Sequence, residues 1–299
     1  MCADDNRSIF VQEYVDIMKH KDIHLASEVG MYQVHGNHID TVVDTATPIG
    51  NYIRKILSDS KVLEWAKSEV DFEGRFVTNT DVCSLLYGEK DFGFISLIAY
   101  DPDNNANQFM STFPFYLAKT IHVRIEKVWV WDNLIEATVE CSYKGFTFCF
   151  FAVDYFAHKD DYLPGVDLDI RIGALGMHVE ESEHGFSFEG QKAIDWLAKI
   201  GEKPEYDENG EVRPVNFSLE ELVTCFPADD KCPDEAVFQS PAGEMKERHF
   251  MDLDFYETGI FLHRHEFEFS VPFIFRKDFL PEARKDTPLR GSLWVVGSM

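Results

Sequence analysis

Between Ile121 and Phe156, apolar and polar residues alternate with a period of two, a pattern that suits half-buried strands and not helices. Ile121, Val123, Ile125, Trp129 and Trp131 fall on one face of a first strand. Ile135, Ala137, Val139, Cys141 and Tyr143 share one face of a second, with Glu136, Thr138 and Glu140 opposite. A three-residue connection, Asp132 to Leu134, sets Trp131 against Ile135 and Trp129 against Ala137, whereas a two-residue turn mixes the two faces. Lys144-Gly145 suits a two-residue turn, pairing Tyr143 with Phe146, Cys141 with Phe148, Val139 with Phe150, Ala137 with Ala152 and Ile135 with Asp154. After Pro164-Gly165, Val166, Leu168, Ile170 and Ile172 alternate with Asp167, Asp169 and Arg171, and Gly173 and Gly176 let that strand bend. A curled meander of this kind predicts a small barrel or sandwich, OB-like in outline.

The flanking segments predict an α+β architecture. An N-terminal helical region, residues 1–72, packs on a mainly antiparallel, strongly curved β-sheet or barrel. Within it Ser8 caps a stripe of Phe10, Val11, Tyr14, Val15 and Met18. Thr47-Pro48 opens a second helix bearing Ile49, Tyr52, Ile53, Ile56 and Leu57, and Val62, Leu63, Trp65 and Ala66 read as a short third. Residues 73–181 form the β-rich core, with a strand from Asp91 to Tyr100 before the meander 121–156. Residues 182–247 read as a helix, Gln191 to Ile200, and a proline-containing acidic connection with one more helix near Leu219 to Leu222. Residues 248–299 supply C-terminal strands that complete the sheet, being too few for a core of their own.

Charge narrows the partners. The chain carries 53 Asp and Glu against 28 Lys and Arg, a net −25, and residues 182–247 alone hold 16 acids and 6 bases. Nucleic-acid binding and docking on anionic membranes both depend on clustered cations, so neither fits. A basic protein partner does. The start, Met1-Cys2-Ala3-Asp4-Asp5-Asn6, has no secretion-signal character, and six cysteines form no CxxC pair, so a cytoplasmic location with reduced thiols is expected.

Several residues are candidates for chemistry. His263 and His265 occupy alternate positions in the run Phe261 to Phe275, so a regular strand turns both to one face. If Thr258-Gly259 makes a two-residue hairpin, Asp254 lies opposite His263 and Asp252 opposite His265, a donor set for a divalent metal. If Glu257-Thr258-Gly259 is the loop, Leu253 and Met251 take those places and the histidines are core residues, a register that the apolar set Met251, Leu253 and Phe255 favours. Asp154 points inward near Trp131 and Tyr155, where desolvation raises a carboxyl pKa, and the three form a candidate ligand site. Trp129, Trp131, Phe148, Phe150 and Tyr155 read as core before they read as a stacking platform for bases or sugars. His35, His38 and Asp40 form a polar loop with metal-compatible spacing. The P-loop, the Rossmann fingerprint, HExxH and GxSxG are all absent.

The leading expectation is a non-catalytic cytoplasmic binding protein that presents an acidic surface to a basic partner and needs no cofactor. One alternative is a metal-dependent hydrolase built on His263 and His265 with Asp252 or Asp254. A second is a small-ligand β-barrel around Asp154.

Overall fold

The computed structural model describes residues 18, 22–44 and 46–299; the expected Ser8-capped helix lies outside the described residues apart from Met18, which is buried. Strands dominate at 55% of residues, and five of them close into a barrel. The first elements are β1 (Ile23–Leu25), a 3-10 turn (Ala26–Val29), α1 (Gly36–Ile39) and α2 (Ile49–Asp59). Helix α2 begins directly after Thr47-Pro48, as its proline predicts. A four-stranded antiparallel sheet follows in sequence order: β2 (Lys61–Asp71), β3 (Phe76–Gly88), β4 (Phe92–Asp101) and β5 (Ala106–Tyr116).

The segment expected to be a helix at Val62 to Ala66 is thus the start of β2. Val62 and Trp65 suit a strand as well as a helix, and pairing with β3 through two register shifts satisfies the backbone. The β-pattern expected from residue 73 therefore starts twelve residues earlier, at Lys61.

The barrel strands are β6 (Lys119–Val130), β7 (Ala137–Tyr143), β8 (Phe146–Ala152), β9 (Asp167–Glu181) and β17 (Pro288–Ser298), with α3 (Tyr155–His158) between β8 and β9. Their order around the ring is β6-β7-β8-β17-β9 and back to β6. Only β8 and β17 run parallel; the other four contacts are antiparallel. Between β9 and β17 the chain inserts β10 (Gly185–Phe188), α4 (Gly190–Ile200), β11 (Val215–Ser218), β12 (Thr224–Asp229), β13 (Cys232–Pro241), β14 (Lys246–Phe250), β15 (Leu253–Arg264) and β16 (Glu268–Arg276). Strands β12 and β13 extend the barrel sheet beyond β17, and β16, β15 and β14 extend it beyond β9.

The β7–β8 hairpin has the expected register, from Tyr143 opposite Phe146 to Ala137 opposite Ala152. Lys144 and Gly145 both take positive φ, 50° and 89°, the turn geometry whose twist matches a hairpin. The β6–β7 register differs from expectation. A bulge between Ile125 and Lys127 pairs Val130 with Ala137 and Trp129 with Thr138. Beyond it, Val128 and Val130 join Ile121, Val123 and Ile125 in one core, while Trp129 and Trp131 turn to the other. The connecting loop is also longer than three residues, since Trp131 N–H donates to the Glu136 carbonyl at 2.8 Å.

Residues 201–246 are a further correction: three strands replace the expected open connection, and Leu219 to Leu222 is a turn. Its prolines sit where a ladder tolerates them, Pro227 at a register shift of β12, Pro233 and Pro241 near the two ends of β13.

Two cores result. Ile125, Val139, Phe150, Ile170 and Val295, one from each barrel strand, are buried together and fill the interior. Phe92, Phe94, Phe113 and Phe115 of the four-stranded sheet pack on Trp129, Trp131, Phe151 and Trp294 of the barrel's outer wall. Each such ring contributes roughly 1.5–3 kcal/mol by leaving water. The barrel is therefore covered, and its outward residues enter a second layer. Gly173 makes the approach possible: a Cβ there would lie 2.1 Å from the Tyr116 carbonyl oxygen.

Candidate functional site

The four residues expected to bind a metal are distributed along β15 and not gathered. Thr258-Gly259 lies mid-strand, paired with Phe273 and Pro272, and Gly259 does not adopt the left-handed φ that either proposed turn required. The turns sit elsewhere. Met251, at φ 57°, closes the β14–β15 hairpin, and the polar run after Arg264 closes β15–β16. Asp254 therefore faces His249, with the imidazole Nδ1 at 2.8 Å from the carboxylate, and Asp252 is exposed in the turn. His263 is half-buried between the Phe146 and Phe267 rings, and His265 is exposed in the next turn. A register shift between Phe261 and His263 leaves Leu262 as the buried neighbour. The nine-residue separation of Asp254 and His263 along one strand corresponds to roughly 30 Å. Among the described residues no group of three or more His, Cys, Asp or Glu side chains is arranged to hold a metal.

The three residues proposed for a ligand also part. The β7–β8 ladder ends at Ala152, so Asp154 is not opposite Ile135 but directly precedes α3. Its Oδ1 accepts from the Tyr162 hydroxyl at 2.8 Å, and its Oδ2 from the Ser298 hydroxyl and the Met299 N–H, both at 2.9 Å. Burial raises its pKa, and these three donors work against that rise. Tyr155 is buried in the barrel core. Trp131 lines a cleft of about 460 Å³ with Asp71, Glu73, Gln108, Phe109 and Asn133, whereas Asp154 lines another of about 310 Å³, and the two share no residue.

Between the barrel and the sheet lies an arrangement whose partners the sequence pattern did not reveal. His35 and His38 of the α1 turn are buried, with their Nδ1 atoms 3.3 Å apart. Their outer nitrogens reach carboxylates: His35 Nε2 is 2.7 Å from Glu136 Oε1, and His38 Nε2 is 3.0 Å from Glu235 Oε1. Each ring lies on a tryptophan, His35 on Trp131 at 4.7 Å and His38 on Trp294 at 3.8 Å and 4°. Glu136 also accepts from the Ser111 hydroxyl at 2.9 Å and from the Asn133 amide. At each outer contact an Nε2–H can donate to the carboxylate oxygen it faces. Burial lowers the His38 pKa. The relay clamps residues 35–38 onto strands far away in sequence.

Beyond Trp294 the relay meets the surface. The indole N–H of Trp294 donates to Asp234 Oδ2 at 2.8 Å, and burial raises the Asp234 pKa. Asp234 lines a cleft of about 340 Å³ on β7 and β8, bounded by Trp129, Glu140, Phe148, Phe226 and Asp230. Three carboxylates and no basic side chain line it. Two bases flank it, and both are engaged: Lys127 lies 3.0 Å from Glu140 and over the Trp129 ring, and Lys231 lies over Tyr32. Phe226 is 62% exposed at the rim. Cys225 and Cys149 also line the cleft; burial pushes the Cys225 thiol to about 12 and raises that of Cys149 as well, so both stay protonated at neutral pH.

No protein-family model matches the sequence, and no curated protein or solved structure shows significant similarity to it.

Proposed function

We propose that this protein is a non-catalytic binding protein that holds a basic, extended segment of a partner protein in the cleft between β7–β8 and β12–β13. The observation that carries this reading is the lining: aromatic rings and three carboxylates without a cation among them. An ammonium or guanidinium group gains there from both the negative charge and the ring faces. Lys127, on Glu140 and Trp129, makes within the chain the contact that a partner's lysine would make at Phe226 and Asp230.

Fold-level analogy supports the location. The barrel resembles an OB-fold in outline, whose second and third strands and flanking loops hold extended polymers. Here β7 and β8 are the second and third barrel strands, and the insertion after the fourth supplies Phe226 and Asp230. The net charge of −25 turns the preference from nucleic acid to a cationic chain. A cytoplasmic setting, with reduced cysteines, is part of the same reading.

A synthetic peptide of alternating lysine and leucine tests it, with the fluorescence of Trp129 as one reporter. The peptide should bind more weakly as ionic strength rises, Phe226→Ala should weaken it about tenfold, and Asp230→Asn should reduce the salt dependence. Equal affinity for both variants and the parent chain would rule the cleft out.

A further inference from the structure

We infer that the cavity beside Asp154 is a second, independent binding site, for a small carboxylate with an apolar body. The cavity, about 310 Å³, lies between β3 and β4 of the four-stranded sheet and the end of the barrel formed by α3, β9 and β17. That volume is at the low end of the range for small-molecule sites, about 300–1,000 Å³. Leu86, Ile95, Phe115 and Phe156 give it an apolar floor.

Its polar lining is uneven in what remains unused. Ser84 is 2% exposed, and its hydroxyl is the one buried side-chain polar atom among the described residues without a hydrogen-bond partner. An orphaned buried hydroxyl is unfavourable unless something occupies it. Arg171 spends one N–H on the Leu117 carbonyl at 2.7 Å and has no carboxylate within 4.0 Å among the described residues. Lys90, at the rim, has no ion pair among them either. The two carboxylates of the wall are already engaged: Asp154 accepts three hydrogen bonds, and Glu64 lies 3.3 Å from His158. The free groups are therefore a hydroxyl, a guanidinium and an ammonium, all donors, set around an apolar pocket. An oxyanion head with a hydrocarbon tail suits that combination of donors and apolar floor.

Octanoate is the probe, with 1-octanol as its uncharged counterpart, titrated calorimetrically into the full chain at pH 7. Octanoate should bind with a dissociation constant below about 1 mM, and 1-octanol more weakly by about tenfold or more. Arg171→Gln, which keeps a donor for Leu117, and the exposed Lys90→Gln should each weaken octanoate by about five- to tenfold and leave 1-octanol unchanged. Ser84→Val should weaken octanoate alone. If octanoate gives no saturable heat, or binds the Lys90→Gln and Ser84→Val chains as it binds the parent, the site is refuted. Because none of these residues lines the β7–β8 cleft, that outcome would leave the peptide-binding reading intact.

Discussion

Replacing Glu136 with leucine tests the buried relay where it is most heavily used. The carboxylate is 2% exposed and accepts from His35, Ser111 and Asn133. Ser111 and Asn133 are half-buried and can turn to water, so they add little when their acceptor is lost. His35 cannot, because it is enclosed by the rings of Trp131, Phe113 and Phe151 at 4.7–4.9 Å. Leaving a buried donor without its acceptor, with two further hydrogen bonds lost, costs about 2–3 kcal/mol. Glutamine in its place still accepts one hydrogen bond and should lose only about 1–2 kcal/mol. The assay is urea unfolding followed by tryptophan fluorescence, to which Trp131 contributes directly. With a slope near 3 kcal/mol per molar, Glu136→Leu lowers the midpoint by about 0.7–1 M. Adding His35→Phe removes the stranded donor while keeping a ring on Trp131. The double variant should therefore be more stable than the two single losses predict, by about 1–3 kcal/mol. A midpoint within about 0.3 M of the parent chain for Glu136→Leu, or strict additivity in the double variant, would refute the relay as a clamp.

Two further outcomes follow from the ion pairs. The His38 pKa is lowered by burial among His35, Glu235, Asp234 and Trp294, so the unfolded chain takes up a proton there near pH 6.5 while the folded one resists. Its stabilising contribution is complete above about pH 6.5 and is lost as pH falls through the folded value; His38→Phe, which keeps a ring over Trp294, should flatten that part of a stability profile measured from pH 7 to pH 5. Arg248 joins the β3–β4 turn to the β14–β15 hairpin through Asp91 at 2.9 Å, Glu89 at 2.7 Å and Glu257 at 2.6 Å. Arg248→Ala leaves three carboxylates facing one another, partly in water, and should cost about 2–3 kcal/mol by urea unfolding, with Arg248→Lys recovering only part because it cannot fork between them.

The fold was legible where alternation ran unbroken. Strands β7 and β8 have one apolar residue in two and a lysine-glycine turn, so their register follows from the pattern alone. In β6 the pattern carries its own warning: Glu126 and Lys127 are consecutive polar residues between Ile125 and Val128, the mark of a bulge, and passing over it turns Trp129 and Trp131 into the wrong core. The error at His263 has the same origin. Alternation from Phe261 to Phe275 hides a hairpin, because the three polar residues from Arg264 to Glu266 fit a turn as well as they fit one face of a strand. Local pattern gives the period of a segment but not the place where it stops.

The relay was illegible for a different reason. Glu136, Thr138 and Glu140 read as the watered face of a half-buried strand, and on an uncovered barrel they would be one. The four-stranded sheet covers that face, and Glu136 and Thr138 are each 2% exposed. Burying a carboxylate there is tolerable only with donors in place, and a chain this acidic has few to give. Two of its 11 histidines go to Glu136 and Glu235, from a turn about a hundred residues earlier than the first of them. The His35–His38 spacing was visible; its partners depended on a layer that only the tertiary fold supplies. Covering the barrel thus divides its acids into two groups. Those beneath the sheet are held by imidazole, indole and hydroxyl donors, while at the open cleft Glu140 is paired with Lys127 and Asp230 has no ion pair among the described residues, so a cation brought by another molecule meets least competition at Asp230.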